Sequence, residues 1–192
     1  IQVFAAFSGT GNDKWARVKS LIETYKKMTG FNKIEFLCDI EKLECGRNSI
    51  LSIEGGECIE DKIDRLDELY KMGVRIFSLV WNSNNLIAGA ATDIDTGLTE
   101  FGKSVIKRAE SLGITLDLSH AGEKSFYRTM EIVEKPVVLS HSNSKAVCPH
   151  KRNITDSQFS ELIKNKGCVG INFYPPFLSE KKASLYDVIK HI

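Results

Sequence analysis

The feature that most constrains this chain is a pair of short apolar runs, each closed by a serine and a histidine. Ile114-Thr115-Leu116 leads through Asp117-Leu118 to Ser119-His120, and Val137-Val138-Leu139 leads directly to Ser140-His141. Runs of this length suit buried strands and are too short for helices, and residues 123–133 between them have helical spacing. Two strand–helix units in series run their strands in the same direction, so both histidines fall at strand C-terminal ends. In a barrel of parallel strands that rim is where active sites are built. Two imidazoles on one rim are a natural start for a metal site.

The same alternation runs through the rest of the chain. Strands are expected at residues 2–7, 34–37, 49–53, 74–80 and 169–173. Helices are expected at residues 13–28, 40–45, 61–72, 98–112, 156–164 and from Leu185 onward, with Gly30, Gly73 and Gly113 as stops and a cap near Thr155. Repeated βα order implies a parallel sheet or barrel in one domain spanning residues 1–192. The irregular stretch 82–96, containing Ala88-Gly89-Ala90-Ala91-Thr92, reads as a long rim loop. With 42% hydrophobic and 27% charged residues, the composition is that of a globular domain with a sizeable core. The balance of 26 basic and 25 acidic residues argues against nucleic acid as a partner, and Lys26-Lys27 and Lys181-Lys182 read as solvated helix faces. No apolar run approaches the roughly 20 residues of a membrane span. Five cysteines without a C-x-x-C pair point to a reducing, cytoplasmic setting rather than a disulfide framework.

Glu54, like His120 and His141, closely follows an apolar strand, and one carboxylate with two neutral imidazoles suits zinc. Each residue has a plainer role when taken alone: Glu54 as a turn residue before Gly55-Gly56, each histidine as a structural hydrogen bonder. Their shared place at strand C-termini is what joins them into a site. Cys148, near His141 and His150, reads as a small buried hydrophobe, with a nucleophilic thiol as the alternative. Tyr174 and Phe177 fall where a pocket wall would stand, and Phe173 is expected in the core.

The motifs resemble those of the membrane (renal-type) dipeptidase family of zinc peptidases. They are Ile53-Glu54-Gly55-Gly56, Gly97-Leu98-Thr99-Glu100-Phe101-Gly102-Lys103, Asp117-Leu118-Ser119-His120, Ser140-His141-Ser142-Asn143, Arg152-Asn153-Ile154-Thr155-Asp156 and Val169-Gly170-Ile171-Asn172-Phe173-Tyr174, in family order over nearly the whole chain. The resemblance implies a (β/α)8 TIM-type barrel, here incomplete at both ends, that hydrolyses dipeptides with a hydroxide bridging two zinc ions. It implies that Glu54 bridges both metals, that His120 and His141 hold one of them, and that Arg152 grips the substrate's terminal carboxylate, a role suited to a guanidinium fork. Tyr174 is then a substrate-binding residue, and a homodimer is the assembly to expect.

Three departures accompany the resemblance. The family's opening His-x-Asp would lie before Ile1, and its late aspartate, the expected proton carrier, beyond Ile192. The catalytic residue is therefore not assigned, and these residues alone would hold one metal at best. A histidine of the better-known members aligns near Trp81, in Val80-Trp81-Asn82. Two other readings stand beside the dipeptidase: a metal-poor barrel used for binding or assembly, and another amidohydrolase-like enzyme acting on a lactam or ester. The sequence predicts that residues 1–192 expressed alone lack dipeptidase activity while a longer parent chain supplied with zinc has it. General acid–base help alone is worth about 10²–10⁴-fold. Zinc-dependent turnover by the short chain at the parent's rate, in an assay with a simple dipeptide, would refute this.

Overall fold

The computed structural model describes residues 1–34 and 46–192. The expected helix at 40–45, the expected strand at 34–37 except for Ile34, and Cys38 and Cys45 lie outside the described residues. The strands are β1 (Gln2–Phe7), β2 (Asn32–Lys33), β3 (Asn48–Glu54), β4 (Val74–Ser78), β5 (Thr115–Asp117), β6 (Val138–Leu139) and β7 (Cys168–Val169). The helices are α1 (Lys14–Lys27), α2 (Arg65–Lys71), α3 (Glu100–Leu112), α4 (Glu123–Met130), α5 (Asp156–Lys164), α6 (Pro175–Leu178) and α7 (Leu185–Lys190). All pairings between strands are parallel, in the order β1-β3-β4-β5-β6-β7, with β2 beside the start of β3. Strands that neighbour in chain order and run one way form the wall of a βα barrel, seen here as an open arc.

Local chemistry explains the elements. Asp13 caps α1 by accepting from the Ala16 amide at 2.9 Å, and Lys26 and Lys27 in the last turn complement the helix dipole from exposed positions. Thr155 and Gln158 form a full capping box at the start of α5. Gly113 ends α3 in the left-handed region at φ 80°, as a C-terminal glycine does. The central strand β3 is buried along its length except at Glu54, as expected for a strand covered on both faces. Ile53 and Phe77, from adjacent strands, are wholly buried in the core, worth roughly 1.5–3 kcal/mol each.

Several elements are shorter than the sequence suggests. The helix expected from 61 begins at Arg65, because a 3-10 turn at Gly56–Ile59 and a left-handed Glu60 (φ 53°) occupy the approach. The strand expected over 169–173 is only Cys168–Val169. Beyond Gly170 a side chain takes over from the ladder: Asn143 Nδ2 donates to the Asn172 carbonyl and Asn143 Oδ1 accepts from the Asn172 amide. Phe173, expected in the core, is 64% exposed, since the chain has left the sheet before reaching it.

The loop over 82–96 is ordered by its own polar groups. Asn85 Oδ1 accepts from the Ile87 and Ala88 amides, and Asn84 Oδ1 from that of Ala90. Asp95 accepts from the amides of Gly97 and Lys124 and from Ser125 Oγ, tying the loop to the start of α4. Gly102 in α3 lies under this loop, and a Cβ there would overlap the Ile87 carbonyl oxygen. Alanine normally stabilises a helix by about 1 kcal/mol over glycine. Here the overlap should reverse the sign, so Gly102→Ala is expected to lose roughly 1–3 kcal/mol, read from the urea unfolding midpoint.

Candidate metal centre

Three strand ends supply the site. Glu54 closes β3, His120 stands three residues past β5, and His141 two past β6. His120 Nε2 lies 3.2 Å from Glu54 Oε1 and 2.9 Å from His141 Nε2, and His141 Nε2 lies 3.7 Å from Glu54 Oε1. The ligand atoms of the three residues all fall within 4.8 Å of one another. The turn after Glu54 demands glycine: Gly55 has φ 91°, and a Cβ on Gly56 would stand 2.5 Å from the Leu79 carbonyl oxygen.

The outer nitrogens of both rings are engaged. His120 Nδ1 meets the Asn82 side-chain oxygen at 3.1 Å, and an amide oxygen can only accept, so Nδ1 carries the proton and Nε2 keeps its lone pair. His141 Nδ1 lies 2.7 Å from Ser140 Oγ. Burial lowers the pKa of His120 to about 4 and lowers that of His141 as well, with the nearby Arg152 charge acting in the same direction. Both rings are neutral at pH 7. Two bare or nearly bare imidazole nitrogens facing a carboxylate repel one another unless a cation sits among them, so these residues fit a divalent metal of the zinc type.

Behind the histidines lies a residue that the sequence motif contained without revealing its part. Asp117, buried at the end of β5, accepts from Ser119 N (3.0 Å), Ser119 Oγ (2.5 Å) and Ser140 N (3.1 Å) on Oδ1. Its Oδ2 accepts from Ser140 Oγ (2.5 Å) and Ser78 Oγ (3.2 Å). Ser119 Oγ also accepts from the His141 amide at 3.1 Å. The signal available in the sequence was a charged residue inside an apolar strand run. Asn82 was equally hidden, in a loop with no periodicity.

Arg152 is buried beside this network. Its Nη1 donates to the Ser119 carbonyl, its guanidinium lies 5.6 Å from the Phe177 ring, and burial brings its pKa down to about 10, leaving it charged. Tyr174 is exposed and packs edge-on against Phe177 at 5.0 Å. Arg152 and Tyr174 thus meet the same ring. Trp81 packs at a tilt against Phe7, with ring centroids 4.7 Å apart, and its ring centroid lies 6.2 Å from that of His120, an apolar neighbour rather than a ligand. Cys148 is buried, and its thiol donates to the Pro176 carbonyl at 3.6 Å. Burial and Glu180 push its pKa up, the opposite of what activates a nucleophile. Among the described residues Cys58, Cys148 and Cys168 are free thiols. No helix among the described residues is long and apolar enough to cross a membrane.

An open arc of parallel βα units with a carboxylate and two imidazoles at its C-terminal rim is part of a βα barrel carrying a candidate metal centre. Residues 8–192 match the family described as membrane dipeptidase, peptidase family M19, and the chain belongs to that family. Over 136 residues it is 38% identical to an uncharacterized protein in the PQQ-III 3' region of Acinetobacter calcoaceticus, covering 67% of this chain and 43% of that protein. Over 150 residues it is 32% identical to an uncharacterized dipeptidase of Schizosaccharomyces pombe, covering 76% of this chain and 37% of that one. The chain therefore spans about two fifths of the length of these relatives. The fold is similar to that of an amidohydrolase from Pseudomonas aeruginosa, with a TM-score of 0.90 at 23% identity, covering 99% of this chain and 60% of that one.

The buried state of His120 has a pH consequence. Between its folded pKa of about 4 and the 6.5 of an exposed imidazole, the unfolded chain binds a proton that the folded chain does not. Stability of the metal-free protein should therefore be full above pH 7 and fall on acidification through this window, by about 1.4 kcal/mol per pH unit at most from this group. Urea midpoints of chelator-treated protein at pH 7.5 and 4.5 should show the loss, and His120→Asn should reduce it.

Proposed function

We propose that the intact protein is a zinc-dependent dipeptidase whose reaction centre is the cluster of Glu54, His120 and His141, with Arg152 and Tyr174 on the substrate side. Membership of the dipeptidase family supports the reaction class. The observation that carries the placement is the convergence of three ligand atoms within 4.8 Å on one rim. Zinc bound there would polarise a peptide carbonyl and lower the pKa of a water molecule. His120 and His141 offer Nε2 as ligands, and Glu54 offsets the cation's charge, in keeping with a resemblance that implies two zinc ions sharing this carboxylate. Arg152, charged and buried behind the rim, supplies a cation for the carboxylate that ends every dipeptide. Its field on both imidazoles reflects its closeness to the cluster. Tyr174, exposed beside Phe177, would flank the substrate's second residue.

Intact protein stripped with a chelator should lose hydrolysis of simple dipeptides and regain it with zinc. His141→Ala, if folded, should lose at least about 100-fold in kcat/KM, the scale seen when a group stabilising the transition state is removed. A folded, zinc-loaded protein that hydrolyses no dipeptide would favour a binding role instead. Arg152→Lys keeps the charge but loses the fork. It should raise KM roughly 10- to 150-fold, matching the 1.5–3 kcal/mol of a hydrogen bond to a charged group, with a smaller change in kcat. An unchanged KM would assign Arg152 to structure.

A further inference from the structure

We propose that Asp117 is a positioning residue that fixes the tautomer of His141 through the hydroxyl of Ser140. The inference rests on reading the cluster as a metal site, but its central observable, the proton position on a ring, exists in the metal-free protein.

The argument counts protons. Ser140 Oγ has one hydrogen and two close partners, Asp117 Oδ2 at 2.5 Å and His141 Nδ1 at 2.7 Å. A carboxylate only accepts, so the hydroxyl hydrogen goes to Asp117, and Ser140 Oγ presents a lone pair to the ring. Ser119 Oγ, 3.1 Å from Ser140 Oγ, cannot replace this arrangement, because its own hydrogen is directed to Asp117 Oδ1 at 2.5 Å. His141 must therefore carry its proton on Nδ1, which leaves Nε2 bare and aimed at His120 Nε2 and Glu54. Ser140 is exposed as a residue, yet its hydroxyl is held from both sides. Asn82 performs the same service for His120 directly, with an amide oxygen at 3.1 Å.

Replacing the carboxylate by an amide should reverse the relay. Oδ1 of Asp117 accepts from two backbone amides, Ser119 N and Ser140 N, which cannot turn into acceptors. In Asp117→Asn the oxygen therefore stays at that position, and the NH2 group takes the place of Oδ2, donating to Ser78 Oγ and Ser140 Oγ. Of the two acceptors then open to the Ser140 hydrogen, His141 Nδ1 at 2.7 Å is closer than Ser119 Oγ at 3.1 Å, so the hydrogen turns toward His141 and the ring proton is driven to Nε2, where a metal would bind. Orienting partners of metal-binding histidines are typically worth about 10–100-fold in affinity.

The test has two arms on the intact protein. Long-range ¹H–¹⁵N spectra of the metal-free wild type should show His141 as the Nδ1–H tautomer, and an Nε2–H ring would overturn the proposal without any variant being made. Zinc affinity, measured by competition with a chromophoric chelator, should fall about 10- to 100-fold in Asp117→Asn. Removing the reversed hydroxyl should restore part of it, so the double variant Asp117→Asn/Ser140→Ala should bind zinc more tightly than Asp117→Asn alone. A purely structural Asp117 predicts the reverse, each lost hydrogen bond weakening binding further, and that outcome would overturn the relay. If wild type itself binds no zinc, the metal reading fails, while the tautomer is still decided by the spectrum.

Discussion

A buried carboxylate holds the centre of this structure together. Asp117 draws five hydrogen bonds from three serines, one at the end of β4, one just past β5 and one just past β6. Removing a carboxylate from water costs several kcal/mol, and the cost is met only when its lone pairs are well occupied. Here the occupants are two backbone amides and three hydroxyls, so the same contacts that make burial tolerable pin three strand ends together. The histidines follow two of those ends directly, and their separation depends on that clamp.

The sheet supplies the remaining order. Because the strands are parallel, with Phe7 opposite Glu54 and Ser78 opposite Asp117, β1, β3, β4 and β5 deliver their last residues to the same rim, while β2 ends beside the start of β3. A slip of one residue in β3 would turn Glu54 to the other face. Above the rim the 82–96 loop closes on His120 twice. Asn82 meets its ring, and the Ala91 amide donates to its carbonyl at 2.9 Å. The loop itself is secured by Asp95 against α4, so the position of His120 is coupled to a helix on the outside of the arc.

What could be read from the sequence was what is local. The alternation of apolar runs and helical stretches, the Thr155 cap and the Gly113 stop depend on neighbours within a few residues, and the structure places them as expected. Glu54, His120 and His141 could be grouped because each follows its own strand closely. Contacts between distant segments were not legible. Nothing near Asp117 in the chain announces that Ser78 and Ser140 will meet it, and nothing in 82–96 shows that Asn82 will reach an imidazole 38 residues away. Phe173 misled because hydrophobicity speaks for burial, while the side chain of Asn143 ends the ladder before that phenylalanine arrives.

The depressed basicity of the two imidazoles bears on how the centre is filled. Metal binding ordinarily expels protons from its ligands and so competes with acidity. His120 and His141, kept neutral by burial, have no such protons to give up at neutral pH. The two rings would then add little to any proton release on cation uptake at neutral pH, so a heat that varied with buffer ionisation would report on other groups, such as a metal-bound water.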